Sequence, residues 1–218
     1  MASQEEREFA NSAMPVNWYE VAKLLHENAV QLHTSRQGYV VRSVNGKAFT
    51  RPASNRSVFL LAAFALENLI KAFLIYENPN FIEGGTLSRA LRSHRLSTLQ
   101  KKCKWIPSPK RTLHVFETLE VGVNSWARYP CSLSASQETD ELIVTPEFWS
   151  EYNEYLNFTV NVWNRCWPRI GKDRSEKYRV LGLGNWPNKA KHGDSFFVAA
   201  SPSLQSCPCW LRYVLTVL

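Results

Sequence analysis

The chain has 218 residues, of which 44% are hydrophobic and 21% are charged, so its composition is that of an ordinary globular protein. The length suits a single domain, and eight Trp residues help to supply the apolar volume of a packed core. This composition excludes a wholly disordered, collagen-like or low-complexity chain. The 26 basic and 19 acidic residues give a net charge of +7 at pH 7.

The basic residues are concentrated in two segments of the chain. Between Thr86 and Arg111 there are eight Lys or Arg and no Asp or Glu, and from Pro168 onward there are eight against three acidic residues. The rest of the chain is therefore net acidic. Segregated charge of this kind suggests a polyanionic partner, and nucleic acid is the leading candidate. The alternatives are a solvated face that keeps the protein soluble, and a face that pairs with the acidic remainder of the chain.

The N-terminus and the cysteines indicate a cellular compartment. The first eight residues are polar and acidic, unlike a secretory signal. Five cysteines are an odd number in a chain without such a signal. We therefore expect reduced thiols and a cytoplasmic protein.

The first part of the chain predicts an arm, a helix and a loop. Residues 1–14 are expected to form a flexible N-terminal arm. Asn17 and Glu20 resemble a helix-capping pair, and apolar residues then recur at helical spacing, which predicts a helix over residues 17–35. Residues 36–56 contain Gly and Pro among polar residues, so a loop is favoured there over a strand in the short Tyr-Val-Val run.

Residues 57–77 are the most apolar stretch of the chain. The stretch is long enough to cross a bilayer, but Glu67, Asn68 and Lys71 interrupt its second half. A charge at the membrane centre costs about 2.5–3.5 kcal/mol on insertion scales. The stretch therefore predicts the buried central helix of a bundle, and we expect no contact with a membrane.

Further helical segments follow the central helix. The leucines between residues 87 and 99 recur at helical spacing, which predicts one or two short basic helical segments that end near Cys103. Ser108-Pro109 and Thr145-Pro146 each place a capping residue before a proline at the first helical position. These signals predict helices over residues 109–128 and 146–167.

The predicted elements define the fold class and the domains. We expect an all-α fold, a helical bundle of four to five helices built from residues 15–167. Residues 168–218 are basic and interrupted by Gly, Pro and Ser. They are expected to form an irregular, poorly ordered C-terminal tail.

Common cofactor motifs are missing from the sequence. There is no Walker-type phosphate loop, no paired CxxC and no HExxH. Cys207 and Cys209 with His192 lack the fourth ligand of a zinc site. We therefore predict neither a metal nor another cofactor.

Arg89 and His94 are the candidate catalytic residues, and four residues separate them. A guanidinium matches two phosphate oxygens and stabilises the charge of a phosphorane-like transition state. An imidazole that titrates near neutral pH can deprotonate a ribose 2′-hydroxyl or protonate a leaving 5′-oxygen. One Arg and one His are thus sufficient for metal-free RNA cleavage. The alternative is a histidine that caps or packs against a helix.

The candidate nucleic-acid-binding residues are basic side chains of the same segment, expected at accessible positions of a helix that could contact several phosphates at once. They are Arg92, Arg95, Lys101, Lys102 and Lys104.

Four short motifs, taken together and in this order, resemble the HEPN superfamily. These helical-bundle domains occur in prokaryotic defence and toxin systems and also in eukaryotes. The motifs are FALENLIKAFL (64–74), SHRLSTL (93–99), RYP (128–130) and TPE (145–147), the last opening a long final helix. The resemblance covers about residues 15–167.

The resemblance implies a function that involves RNA. Many HEPN domains are metal-independent ribonucleases with an arginine and a histidine four to six residues apart at a dimer interface, and others are inactive binding or scaffold domains. Arg89 and His94 have that spacing. The resemblance therefore implies a homodimer that acts on RNA, with an antitoxin or a nucleotidyltransferase as a further partner.

Two other functions remain open on the sequence. One is a non-catalytic interaction module, a scaffold whose bundle docks a partner protein or a nucleotidyltransferase. The other is a helical protein that makes no contact with nucleic acid.

Overall fold

The structure is a computed structural model that describes residues 3–35, 38–44, 47–106, 110–128 and 140–166. The chain divides into two units, Met1–Trp186 and Pro187–Leu218, and every described residue belongs to the first. The described residues form six α-helices: α1 (Gln4–Ser12), α2 (Pro15–Ser35), α3 (Asn55–Glu77), α4 (Leu96–Gln100), α5 (Lys110–Asn124) and α6 (Pro146–Cys166). The four strands are short: β1 (Tyr39–Val44), β2 (Lys47–Pro52), β3 (Ile82–Glu83) and β4 (Thr86–Leu87). The described residues are therefore mostly helical, as the sequence predicts.

Helix α3 is the central element of the bundle, which confirms the interpretation of the apolar stretch. Leu66, Leu69 and Phe73 are at most 1% exposed, and α3 packs against α2, α4, α5 and α6. It is also the one helix of the described ranges that is long and apolar enough to cross a membrane, and 78% of its most apolar window is buried inside the protein. Burial of these side chains is the main stabilising contribution to the fold.

Aromatic rings join α3 to the two C-terminal helices. Phe59 meets Trp126 edge to face with ring centroids 4.6 Å apart, and it stacks on Phe148 at 5.4 Å. Gly122 of α5 makes this approach possible, because a Cβ at that position would lie 2.9 Å from the Phe59 ring. Nearer the C-terminal end of α3, Trp163 of α6 packs against Phe73 with ring centroids 5.1 Å apart.

The N-terminus differs from the expected flexible arm. Within residues 1–14, Gln4–Ser12 form α1, whose start is fixed by a reciprocal capping box between Ser3 and Glu6. Ala10 is buried in the core. Asn17 does not cap α2, which begins at Pro15; its side-chain amide instead donates to the backbone carbonyls at the end of α1. The reason for the difference is local, because the capping box satisfies backbone N–H groups at the start of α1.

The segment predicted as a loop contains an antiparallel hairpin. Strand β1 pairs with β2 from Tyr39↔Pro52 to Val44↔Lys47. Asn45-Gly46 stands between the strands in the sequence, and this dipeptide is typical of two-residue hairpin turns. The loop prediction was wrong because a glycine after an asparagine favours a tight hairpin turn between two strands rather than an irregular loop.

A polar cluster attaches the start of α3 to the chain that leads into α6. The Asn55 side-chain amide donates to Glu141 Oε1 and to the Leu142 carbonyl, and its oxygen accepts from the Val144 N–H. Arg51 and Arg56 both form ion pairs with Glu141, at 2.7 and 2.9 Å. Because Asn55 is 2% exposed, these hydrogen bonds satisfy polar groups that burial would otherwise leave unpaired.

The remaining predicted elements are located as follows. The basic segment, predicted to contain one or two short helical pieces, contains two: a 3-10 helix (Arg89–Arg92) and the five-residue α4. Helix α5 ends at Asn124 and continues as turns to Arg128, a few residues earlier than predicted. The RYP motif after its first residue and the predicted tail over 168–218 lie outside the described residues.

His26 makes the stability of the bundle dependent on pH. Its Nδ1 lies 3.1 Å from the hydroxyl of the fully buried Tyr152, and burial lowers the pKa of His26 to about 4. Because the unfolded histidine takes up a proton near its ordinary pKa and the folded one does not, stability falls as the pH drops from 7 towards 4. This contribution is on the order of 2–3 kcal/mol at pH 4.5.

We predict that His26→Gln, which cannot titrate, loses less stability than the wild type on acidification. Urea unfolding at pH 7 and pH 4.5 measures the difference. The gap in unfolding free energy between the two proteins should narrow at the lower pH; a gap that stays constant would contradict this role of His26.

Candidate functional site

The central helix carries a buried ion pair. Lys71 Nζ donates to Glu67 Oε1 at 2.7 Å, and the two side chains are 5% and 8% exposed. The residues are four apart, so the pair lies along one face of α3. Because a lone charge at this depth would be strongly destabilising, each residue depends on the other.

His94 connects this buried pair to the protein surface. Its Nδ1 lies 3.1 Å from both carboxylate oxygens of Glu67, while its side chain is 54% exposed. The residue is in the short connection between the 3-10 helix and α4. One end of the imidazole therefore faces the buried carboxylate, and the ring as a whole is accessible to solvent.

The contact with Glu67 determines which imidazole nitrogen is available for chemistry. A carboxylate accepts hydrogen bonds, so the neutral His94 ring donates through Nδ1–H. Its Nε2 is then unprotonated and makes no hydrogen bond within the described ranges. A carboxylate in this position orients the imidazole, as the buried acid of a catalytic triad orients its histidine.

The other side of the ion pair is closed by an aromatic ring from α2. Lys71 Nζ lies 5.6 Å from the centre of the Trp18 ring, a cation–π arrangement. Trp18 is held in turn by a hydrogen bond from its Nε1 to the carbonyl of Ala13. The N-terminal helices thus shield Lys71 from solvent on this side.

Arg89, the other candidate catalytic residue, lies apart from this hydrogen-bonded group. It is the first residue of the 3-10 helix, its side chain is exposed, and no hydrogen bond to His94 or Glu67 is seen among the residues that the structure describes. The structure therefore joins His94 to Glu67 and Lys71, and it leaves the guanidinium of Arg89 in solvent.

The basic side chains do not lie on one helix, which corrects the sequence prediction. Helix α4 (LSTLQ) contains no charged residue. The cations lie on either side of it, in the 3-10 helix, in the connection that follows it and in the turn after α4, while Leu96 and Leu99 of α4 are buried in the core. All the predicted nucleic-acid contacts are exposed there: Arg92, Arg95, Lys101, Lys102 and Lys104.

Three carboxylates fix the segment from Arg89 to Ile106, and they do so through uncharged donors or His94. Glu67 contacts His94, and Glu120 accepts from the Ser97 backbone N–H at the start of α4. Glu77 Oε1 accepts from the Cys103 thiol and from the N–H groups of the next two residues. Across the described chain, no carboxylate pairs with an Arg or Lys side chain of this segment.

The described residues contain no group of three or more His, Cys, Asp or Glu arranged to hold a metal ion. The Cys103 thiol is not a reactive nucleophile, because burial, followed by the hydrogen bond to Glu77, raises its pKa. His192, Cys207 and Cys209 are outside the described ranges.

A comparison of the chain with protein-family models, curated proteins and solved structures finds no match.

Glu67 and Lys71 enter the sequence analysis only as an argument against a membrane span, and their place in the site was not predicted. The available signal was their position: two opposite charges four residues apart, inside an apolar helix that must be buried. No local pattern in the sequence indicates that His94, 27 residues after Glu67, contacts this pair in the folded protein.

We predict that the ion pair behaves as a unit in stability measurements. Glu67→Gln leaves the Lys71 ammonium buried without its anion and should lower the unfolding free energy by about 3–5 kcal/mol. The double variant Glu67→Gln/Lys71→Met removes both charges and should be more stable than Glu67→Gln alone. Urea unfolding at pH 7 measures both.

An exposed glutamate provides the matched control for this cycle. Glu8→Gln on α1 alters a residue that accepts a side-chain hydrogen bond from Gln4 at the surface, and it should change stability by less than about 0.5 kcal/mol. If the double variant loses as much unfolding free energy as Glu67→Gln and Lys71→Met together lose when each is measured alone, the two residues are not coupled in the way proposed.

Proposed function

We propose that this protein is a HEPN-like helical domain that binds RNA through the segment Arg89–Ile106 and cleaves it without a metal, using His94 as the acid–base group. The observation that carries the RNA contact is that the exposed cations of this segment have no carboxylate partner among the described residues. The carboxylates beside them are occupied by backbone, thiol and imidazole donors. The segment is thus fixed in place while its positive charge is left for an external polyanion.

The orientation of His94 supports the catalytic part of the proposal. The Nδ1 contact with Glu67 leaves Nε2 as the group that accepts a proton. In the proposed reaction Nε2 takes the proton of a ribose 2′-hydroxyl, and the 2′-oxygen attacks the adjacent phosphorus. The bond from phosphorus to the 5′-oxygen breaks, which yields a 2′,3′-cyclic phosphate and a 5′-hydroxyl end.

The remaining charges and protons of this reaction are assigned as follows. Arg89, exposed five residues before His94, stabilises the negative charge on the non-bridging phosphate oxygens. The leaving 5′-oxygen takes a proton from water or from the protonated His94 of a second copy of the chain. A homodimer that brings two such sites together is therefore part of the proposal, as is a cytoplasmic defence or toxin setting with an antitoxin or nucleotidyltransferase partner.

A non-catalytic scaffold is the second candidate, and the hairpin favours it. Tyr39 and Val41 of β1 are each 66% exposed, and a two-stranded hairpin has unpaired backbone edges. An exposed apolar strand of this kind is suited to contact with a partner protein. In this case the bundle would position a partner and His94 would be a structural residue.

Cleavage of a structured RNA in the presence of a chelator tests the proposed function. We predict products with cyclic-phosphate ends, and a loss of at least about 100-fold in rate for His94→Ala, the scale expected for removal of an acid–base group. His114→Ala is the matched control, since His114 is an exposed histidine on α5 that makes no contact with a carboxylate in the described structure.

Two outcomes would contradict the proposal. Cleavage that is equally reduced by both histidine substitutions would show that His94 has no special role. The absence of cleavage at high protein concentration would favour the scaffold.

A further inference from the structure

A pocket of about 390 Å³ lies where α3 ends and the basic segment returns to the bundle. Leu74 is at its base, and Phe81, Trp105, Lys102 and Lys104 line it together with Glu77 and its neighbour Asn78. Its volume is in the range of small-molecule sites, about 300–1,000 Å³. The pocket is separate from the contact between His94 and Glu67.

The pocket combines an accessible aromatic surface with positive charge. Trp105 is 47% exposed, although Tyr76 supports it edge to face with ring centroids 6.3 Å apart. The flat face of an exposed indole can stack on a planar ligand. Lys102 and Lys104 are also exposed, so a ligand that meets the indole also meets two ammonium groups.

The single carboxylate of the pocket forms no ion pair with either lysine in the described structure. Glu77 Oε1 accepts from the Lys104 N–H at 2.8 Å and from the Trp105 N–H at 2.9 Å, in addition to the Cys103 thiol. These hydrogen bonds fix the backbone that carries the lysine and the tryptophan. The wall is therefore preorganised, and its net charge favours an anion.

We propose that this pocket is a nucleotide subsite, in which a base stacks on Trp105 and the adjoining phosphate contacts Lys102 and Lys104. The inference rests on the proposed RNA-binding function and assigns a particular unit of the strand to a particular place. Stacking on an exposed indole accepts any base, because every base has a flat π-face. The subsite thus adds affinity for unpaired nucleotides without adding sequence preference.

The test compares two strands that differ only in their bases. The probes are a fluorescent ten-residue 2′-O-methyl oligouridylate, which lacks the attacking hydroxyl and is not cleaved, and its counterpart in which no sugar carries a base. For the wild type we expect tighter binding of the strand with bases. Trp105→Ala should weaken that binding by about 5- to 100-fold and leave binding of the base-free strand unchanged.

Three further variants separate the components. Trp105→Phe retains an aromatic face and should keep most of the affinity. Lys102→Gln/Lys104→Gln should weaken binding of both strands and reduce the salt dependence by about 1.4 in the logarithmic slope, the value for two phosphate contacts on a single strand. Tyr39→Ala removes an exposed aromatic ring from the hairpin and should have no effect. Thermal unfolding of each variant confirms that it is folded.

The outcomes distinguish the subsite from the function on which it rests. If the wild type binds neither strand, the proposed RNA-binding function fails. If it binds both and Trp105→Ala weakens the two equally or not at all, RNA binding holds and the nucleotide subsite is wrong. Binding of uridine monophosphate shows whether the subsite takes a nucleotide within a strand or a free nucleotide. If it binds more weakly than the oligouridylate, the site belongs to a strand. If it binds equally well and this binding requires Trp105, the site belongs to a free nucleotide.

Discussion

The buried ion pair between Glu67 and Lys71 is the constraint on which the rest of the site depends. It places two charges inside the central helix, where each needs the other and where the carboxylate must satisfy its remaining hydrogen-bonding capacity. His94 meets part of that need from the surface. The consequence is a histidine whose orientation is determined by the core.

The same helix fixes the far end of the basic segment. Glu77, at the last position of α3, accepts hydrogen bonds from the backbone of residues 104 and 105. Glu67, nearly three helical turns earlier, contacts His94 in a similar way. Between these points Glu120 of α5 accepts from the start of α4. Acidic residues therefore determine the path of a basic segment without neutralising its side chains, and this division of roles connects the fold to the proposed RNA contact.

Much of the helical framework follows from the sequence, because its signals are local. The proline after a capping residue locates the start of α6 at Pro146, and the long apolar run identifies α3 as the core helix. The signals for the hairpin and for α1 are equally local: they are the Asn45-Gly46 dipeptide and the capping box of Ser3 and Glu6.

The candidate site was predictable only in part. His94 stands out in the sequence as a histidine within a basic segment, but its partner lies 27 residues earlier on another element. The pocket was likewise not predictable from local patterns, because Trp105 and Phe81 are brought together by the turn that is hydrogen-bonded to Glu77. Local patterns give the residue types; the tertiary fold decides which of them meet.

The orientation of His94 by Glu67 is tested most directly by nitrogen-15 NMR of histidine-labelled protein near neutral pH, which shows which of the two His94 ring nitrogens carries the proton. The account predicts that the neutral ring of the wild type carries its proton on Nδ1, and that this preference is lost in Glu67→Leu/Lys71→Leu, which removes the carboxylate and the buried ammonium together. A neutral wild-type ring protonated on Nε2, or a tautomer unchanged in the double variant, would contradict the claim that Glu67 orients His94.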